Sequence, residues 1–449
     1  MKKILSIFLF SVSCGSIAAQ QSYTLQQLKD CAIRNNVAVR SAQYSIEAAK
    51  QQRKEAFTKY FPNISASGMH FRANRAMAEK SYNITIDPMD YLHVNEEMLP
   101  VLEQMFSPES FAPISQTMTF SMLKKGTMGG VTAVQPVFAG GRIVNSNRLA
   151  RVGVDASNLQ LQLSKNEVEK KTEEYYWQLI TLDEKMNTIH AVEELLGDIH
   201  KDVKVAVNAG IALPNDLLQV ELRQSDIDSQ KLKLQNGISI VRMLLAQYCG
   251  LDNSNISVVK EELATAAPVE ALGDLNNLAE YQLLQKQVDA AKLQKRLAVG
   301  QNMPTVSVGA GYAYHNLLEN DRTFGMVFAT VSVPITDWWG GSHAIKRKKI
   351  EQRKAEEQLV DNSELLAIRM QKAWNDVEEA YKQLLIAQHS IKQAEENLRI
   401  HRDYYRVGTS RMADLLEAQL LYQQACDKQT DAFAEYQNKQ LEYRQAIGQ

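Results

Sequence analysis

From Leu366 to Tyr405 apolar and small residues recur at alternating steps of four and three. The run goes Leu366, Met370, Ala373, Val377, Ala380, Leu384, Ala387, Ile391, Ala394, Leu398, His401 and Tyr405. That is a heptad seam sustained for about six heptads. An ordinary globular helix averages only about 11–12 residues, so a core helix of a compact domain is a poor match. No proline follows Pro334, and one turn signal, Val407-Gly408-Thr409, interrupts the stretch before it runs on to Gly448. One set of seam positions is large and the other is mostly alanine, which lets a second helix approach closely.

A weaker copy lies upstream. Pro136-Val-Phe-Ala-Gly-Gly141 opens it as Pro334-Ile-Thr-Asp-Trp-Trp-Gly-Gly341 opens the second, Gly210 breaks it and Gly250 ends it. Gly210 to Gly408 and Gly250 to Gly448 are both steps of 198 residues, the mark of an internal duplication. Tyr175, Leu179, Leu182, Met186 and Ile189 keep the rhythm in the first copy and then drift by a residue. The predicted organisation is a signal segment over 1–19, a first repeat over 20–253, a connector over 254–272 and a second repeat over 273–449.

Taken in order, a helix is expected over 23–60, with Thr24 as N-cap and Pro62 as its stop. A strand follows over 64–71. Residues 75–125 carry four prolines and are expected as a long loop with a short helix near 96–106. A strand over 127–138 leads into a helix over 141–208. After the turn at 209–215 a helix runs over 216–249, capped by Asn215 or Asp216. The second copy repeats the plan. A helix over 274–302 stops at Pro304. Strands follow over 305–314 and 323–334, then the long seam helix. Val306, Val308, Ala310, Tyr312 and Tyr314 alternate with small or polar residues, as do Val327, Ala329, Val331 and Val333. A helix of 141–208 spans about 100 Å, and two shorter helices end to end reach about as far. The fold class expected is mainly α with a small β part, its four strands each long enough to cross an outer membrane when tilted.

Met1-Lys2-Lys3, the apolar run Ile4–Phe10 and small residues to Ala19 form a secretory signal, with cleavage expected after Ala19. Cys14 is an alternative lipid acceptor. The remaining cysteines, Cys31, Cys249 and Cys426, are odd in number and far apart, so they make neither a disulfide framework nor a zinc site. No later apolar run reaches the roughly 18 residues of a membrane helix. A chain like this crosses a bilayer only as a closed β-barrel. Net charge is −2, which gives no reason to expect nucleic acid, and Lys346-Arg-Lys-Lys349 is expected as a solvated helix face. Trp338 and Trp339 fit either an interfacial aromatic belt or a packed helix start.

No histidine pair has metal-ligand spacing. The methionines crowded between Met69 and Met128 suit packing better than Cu(I) binding. With no phosphate cradle and no nucleophile motif, neither a metal, a cofactor nor an enzyme is expected.

Several stretches together resemble one family. They are Gln135-Pro-Val-Phe-Ala-Gly-Gly-Arg142, Val333-Pro-Ile-Thr-Asp-Trp-Trp-Gly-Gly341, the helix–proline–strand entries at Pro62 and Pro304, and Tyr405-Arg-Val-Gly-Thr409 followed by Asp414-Leu-Leu-Glu-Ala-Gln419. In order and spacing they resemble the TolC family of outer-membrane efflux proteins, from about Tyr23 to Gly448. The resemblance implies a homotrimer that builds one shared transmembrane β-barrel and a long coiled-coil periplasmic tunnel, with four strands from each subunit. It implies outer-membrane lipid, a periplasmic adaptor (membrane fusion protein) and an inner-membrane pump as partners, in a tripartite system that exports small toxic compounds. Metal-ion efflux and type I protein secretion share that architecture. A structural coiled coil or adaptor that never enters a membrane is the rival of a different class. By the same resemblance the helix turns dock the adaptor, through Gly210, Leu217, Gly408, Thr409 and Leu415, and Asp414, Glu417 and Asp216 form an acidic ring at the pore entrance. One departure concerns the basic residue that the family often carries directly after Gly-Thr to latch the closed mouth. Here that position is Ser410, with Arg411 next.

Overall fold

The computed structural model describes residues 22–72, 85–86, 114–115, 125–251, 256–260, 267–270, 273–316, 321–335 and 337–448. The signal segment with Cys14, the helix expected near 96–106, most of the methionine-rich stretch and part of the connector lie outside the described residues.

The chain starts with β1 (Ser22–Tyr23), α1 (Leu25–Asn35) and α2 (Val37–Thr58). Thr24 caps α1 in a reciprocal box with Gln27: its Oγ1 accepts the Gln27 N–H at 3.3 Å, and Gln27 Oε1 accepts the Thr24 N–H at 3.0 Å. The single helix expected over 23–60 is two helices. Asn36 takes an extended conformation between them. Its side-chain oxygen accepts the Ala38 N–H at 2.8 Å, and its amide donates to the Tyr248 carbonyl at 3.2 Å. The chain then runs through β2 (Asn63–Arg72), β3 (Thr85–Ile86), β4 (Ile114–Ser115), β5 (Lys125–Ala139), α3 (Arg142–Asn208) and α4 (Pro214–Cys249). The second copy follows as β6 (Ser257–Val258), a 3₁₀ turn over Leu275–Asn277, α5 (Ala279–Gln301), β7 (Thr305–Asn316), β8 (Asp321–Ser332), α6 (Asp337–Arg406) and α7 (Met412–Ala446). The connector is not all irregular, since β6 pairs in parallel with β1. At 67 and 70 residues, α3 and α6 are each about 100 Å long.

The residues group into two compact units, each drawing on both sequence copies. The first takes in residues 1–43, 161–279 and 364–449. Its interior is the seam. Leu366, Val377, Ala380, Leu384 and Ala387 are buried, and Val377, Ala380 and Leu384 cluster with Tyr436, Tyr443 and Ile447. In α3 the expected drift is a slip of one residue at Ile189. Beyond it Val192, Leu196, Ile199 and Val203 resume the seam, all buried. Trp177 is the largest fully buried side chain, set edge-on against Tyr176 and Phe433. Its indole N–H donates at 3.3 Å to Glu173, a buried acid that pairs with Lys29. Cys249 is buried, and that burial pushes its thiol up to about 12; Cys31 and Cys426 are half-buried and free.

Glu442 sits 3.0 Å from Lys170 and 2.9 Å from Lys439. Burial alone would raise its carboxyl, but the two ammonium groups outweigh burial and hold it below the ordinary carboxylate range. A carboxyl depressed in the folded chain adds stability above its unfolded value of 4.5, and that contribution fades as pH falls through the depressed value. Thermal unfolding between pH 6 and pH 3 is therefore expected to show a smaller acid-induced loss of Tm in Glu442→Gln than in the wild type. Equal slopes would refute it.

The second unit, residues 44–160 and 280–363, holds a four-stranded antiparallel sheet in the order β2-β5-β7-β8. The two faces differ. Ile64, Ala133, Ala310 and Val327 are in register across all four strands, and Ala66, Val131, Tyr312 and Gly325 form the next row. On this face Ile64, Val131, Tyr312, Val327 and Val331 are all exposed, Val327 by 87%. The opposite face carries the row Ser65, Thr132, Gly311 and Met326, with the Ser65 and Thr132 hydroxyls hydrogen-bonded at 3.0 Å. Pro136 falls at an irregularity near the end of β5, where a missing N–H is tolerated. Gly140 has φ +58, and a Cβ there would run into the backbone of Gly300. That close approach brings the start of α3 against the end of α5 and accounts for the glycine at position 140.

Candidate functional site

The two helix turns solve one problem the same way. Gly210 (φ +70) ends α3, and the Ile211 N–H reaches back to the Ala206 carbonyl at 2.8 Å. Gly408 (φ +77) ends α6, and the Thr409 N–H reaches the Tyr404 carbonyl at 2.9 Å. Both are left-handed glycine caps with a bond closing over the last helical turn. The next helix then starts without a side-chain cap at its first position. Instead an aspartate three residues on accepts that position's N–H: Asp216 from Leu213 at 3.3 Å, Asp414 from Arg411 at 3.2 Å. The cap expected at Asn215 or Asp216 falls two to three residues earlier. Leu213 occupies the cap position, Pro214 opens the helix, and Asp216 serves the cap from inside the first turn.

Gly210, Gly408 and Thr409 are exposed, and Leu217 is half-buried. Leu415 is 1% exposed and packs with Met412, Val220 and Ile199. It was expected at the docking surface, but it lies on the inward face of α7 with Met412 and Gln419 and supports the turn from beneath. The apolar groups that do face outward are Ile211, Leu213, Leu218 and Val407, each more than 60% exposed. Apolar residues set in a Gly/Pro turn were the signal that points to them.

The three acids differ in surroundings. Asp414 is half-buried and bound by the Arg411 guanidinium at 3.2 and 3.3 Å. That side-chain bond, aided by the Arg411 N–H, holds the Asp414 carboxyl below the ordinary range. Glu417, one turn on, is exposed. Asp216 lies near Tyr405, whose hydroxyl is raised by burial and further by the Asp216 charge. Ser410, at the latch position, sits 3.5 Å from His401.

Above the turns a polar cluster joins α4 to α7. Arg223 donates to Gln419 at 2.9 Å and to Gln423 at 2.7 Å, and Gln423 donates to Gln230 at 2.8 Å. Gln419 and Gln423 are buried. Burial lowers the Arg223 guanidinium from its ordinary value, with Asp226 the nearby charge that opposes the shift. Two glutamines four apart on a seam face are the sequence signal, and it went unread.

Among the described residues no helix is long and apolar enough to cross a membrane, and no His/Cys/Asp/Glu group has the arrangement of a metal site. Trp339 is 86% exposed, so nothing among the described residues packs it at the start of α6; the Trp338 side chain lies outside the described residues.

No curated protein matches the chain by sequence. The family model described as outer membrane efflux protein matches residues 275–449. Solved structures match over nearly the whole length. The outer membrane protein VceC of Vibrio cholerae is 13% identical with a TM-score of 0.73, covering 94% of this chain and 96% of that one. The CmeC outer membrane channel of Campylobacter jejuni is 15% identical with a TM-score of 0.76, covering 94% and 85%. The MtrE outer membrane channel of Neisseria gonorrhoeae, in its open state, is 15% identical with a TM-score of 0.71, covering 94% and 88%. Residues 275–449 thus match the outer membrane efflux protein family, and the fold of the whole chain is that of these outer-membrane channels.

Proposed function

We propose that the protein is the outer-membrane duct of a tripartite efflux system, a passive homotrimeric channel that carries small toxic compounds from the periplasm to the exterior. The observation that carries this reading is the sheet. One face presents exposed apolar side chains on every strand, Ile64, Val131, Tyr312 and Val327, while the other sets Ser65, Ser67, Thr132 and Gly311 among Met326 and Phe328, an apolar outer band backed by a mixed inner face as in a membrane barrel wall. Among the described residues both edge strands, β2 and β8, pair on one side only. Open edges are not tolerated in lipid, so the wall closes only with further copies. Heat-stable trimers in detergent extracts of outer membrane are the expected result. A water-soluble monomer would overturn it in favour of a non-membrane coiled coil.

The duct needs no chemistry of its own, since the pump supplies the energy. The exposed turns Gly210 and Gly408–Thr409, with Leu217 at their flank, offer the adaptor its docking surface, and cysteine cross-linking at position 408 tests it by recovering the adaptor. Deleting the gene is expected to raise sensitivity to dyes and detergents; selective sensitivity to copper or loss of one secreted protein would redirect the cargo assignment.

Asp414, Glu417 and Asp216 are proposed to form the acidic ring of the periplasmic mouth, a field that favours cations. Arg411 restrains that field by pairing with Asp414. Asp414→Ala/Glu417→Ala is expected to weaken single-channel block by multivalent cations about tenfold, and Arg411→Ala to strengthen it, as the sign of a charged ring requires. Unchanged block in both variants would remove these acids from the pore.

A further inference from the structure

The charge of the chain is unevenly placed. Within 17 residues of the strand ends, over 46–62, 140–156, 288–304 and 333–349, there are 14 Lys and Arg against 5 Asp and Glu. The rest of the chain carries 36 against 47. These stretches are the helical turns that feed into or leave the sheet, all within the second unit. Lys54, Arg148, Lys292, Arg296, Lys346 and Lys349 are all exposed. Among the described residues, the ion pairs on these turns involve other cations: Lys348 and Arg347 with Glu351, and Lys286, just outside, with Asp155.

A second feature fixes their level. Phe57, Phe61 and Phe138 at the strand–helix junctions, and Trp339 after β8, are 54%, 58%, 49% and 86% exposed. Exposed aromatics at the ends of membrane strands mark the boundary between hydrocarbon and water. Lys54 lies one helical turn below Phe57, and Lys346 two turns below Trp339, so the cations begin about 5–10 Å from that boundary. Extended Lys and Arg side chains reach headgroup phosphates from there.

We propose that these cations form a girdle that binds anionic phospholipid headgroups of the periplasmic leaflet. The inference rests on the membrane-duct reading above and adds a lipid partner to it. A phosphodiester headgroup with net negative charge, such as phosphatidylglycerol, is the class of ligand the girdle takes; a zwitterionic headgroup offers no net charge to hold. The basic run beginning at Lys346 thereby gains a role beyond a solvated helix face.

The test uses the full-length trimer in nanodiscs of phosphatidylcholine with one fifth phosphatidylglycerol, followed by detergent extraction and mass analysis of retained lipid. Phosphatidylglycerol is expected to be enriched about fivefold or more, the effect of one Lys or Arg at an anionic surface. The charge-reversed variant Lys54→Glu/Arg148→Glu/Arg296→Glu/Lys349→Glu is expected to abolish the enrichment, and the milder variant with glutamine at the same positions to reduce it. Channel conductance is recorded in the same lipids. Insertion with equal retention of both lipids overturns the girdle alone. A shifted reversal potential in the reversed variant places the cations on the water path and also overturns it. Failure of the wild type to insert in either lipid overturns the duct reading and the girdle together.

Discussion

Val327→Arg will strip the sheet of membrane stability, at a cost of about 2–4 kcal/mol per subunit for a cation near the bilayer midplane. Val327 is the most exposed apolar residue of its row and pairs with Ala310 on β7, midway along both strands. At 87% exposed it would waste apolar surface in water, whereas in the proposed membrane wall it faces lipid. The matching substitution on the other face, Thr132→Arg, lies in the row of Ser65, Gly311 and Met326, away from the lipid side, and is expected to cost less. Refolding into vesicles against urea reads both changes. Equal costs on the two faces would mean that the sheet has no lipid side.

Trp177→Ala is expected to destabilise the first unit by about 3–5 kcal/mol, the range for removing a large aromatic from a packed core. The indole is fully buried with ring centroids of Tyr176 and Phe433 at 4.9 and 5.6 Å. Its loss also leaves Glu173 one donor short. Trp177→Phe keeps much of the packing and should cost less. Thermal unfolding followed by the helical signal separates the two; a loss below 1 kcal/mol in the alanine variant would show that the core collapses into the space.

Much of the architecture was legible because the determining interactions are local or periodic. Pro62 and Pro304 stop helices ahead of strands, and β2 and β7 begin one residue later. Gly210 and Gly408 end the long helices through backbone conformations that glycine accepts readily. The alternation from Val306 to Tyr314 is the sheet's two faces. Distant contacts defeated the reading elsewhere. Asn36 splits the first helix because it finds the Tyr248 carbonyl, more than two hundred positions away. The pairing of β1 with β6 depends on the same folding-back of the N-terminus onto the connector. At the candidate mouth the acids were visible as residue types, whereas the pairing of Asp414 with Arg411 and the burial of Leu415 follow from helix facing, which residue order alone did not resolve. Arg223 with its two glutamines was missed because its partners come from opposite copies of the repeat.

The unequal flanks of the sheet carry one more consequence. β2 begins Asn-Ile-Ser-Ala and β8 begins Asp-Arg-Thr-Phe, so the two rims of a protomer are different surfaces. A ring assembled from such protomers joins them head to tail, and every joint is made of one rim of each kind. In the proposed ring, a defect in β2 and a compensating change in β8 of the same gene meet at each seam. Suppressor pairs drawn from those two strands would map the joint residue by residue.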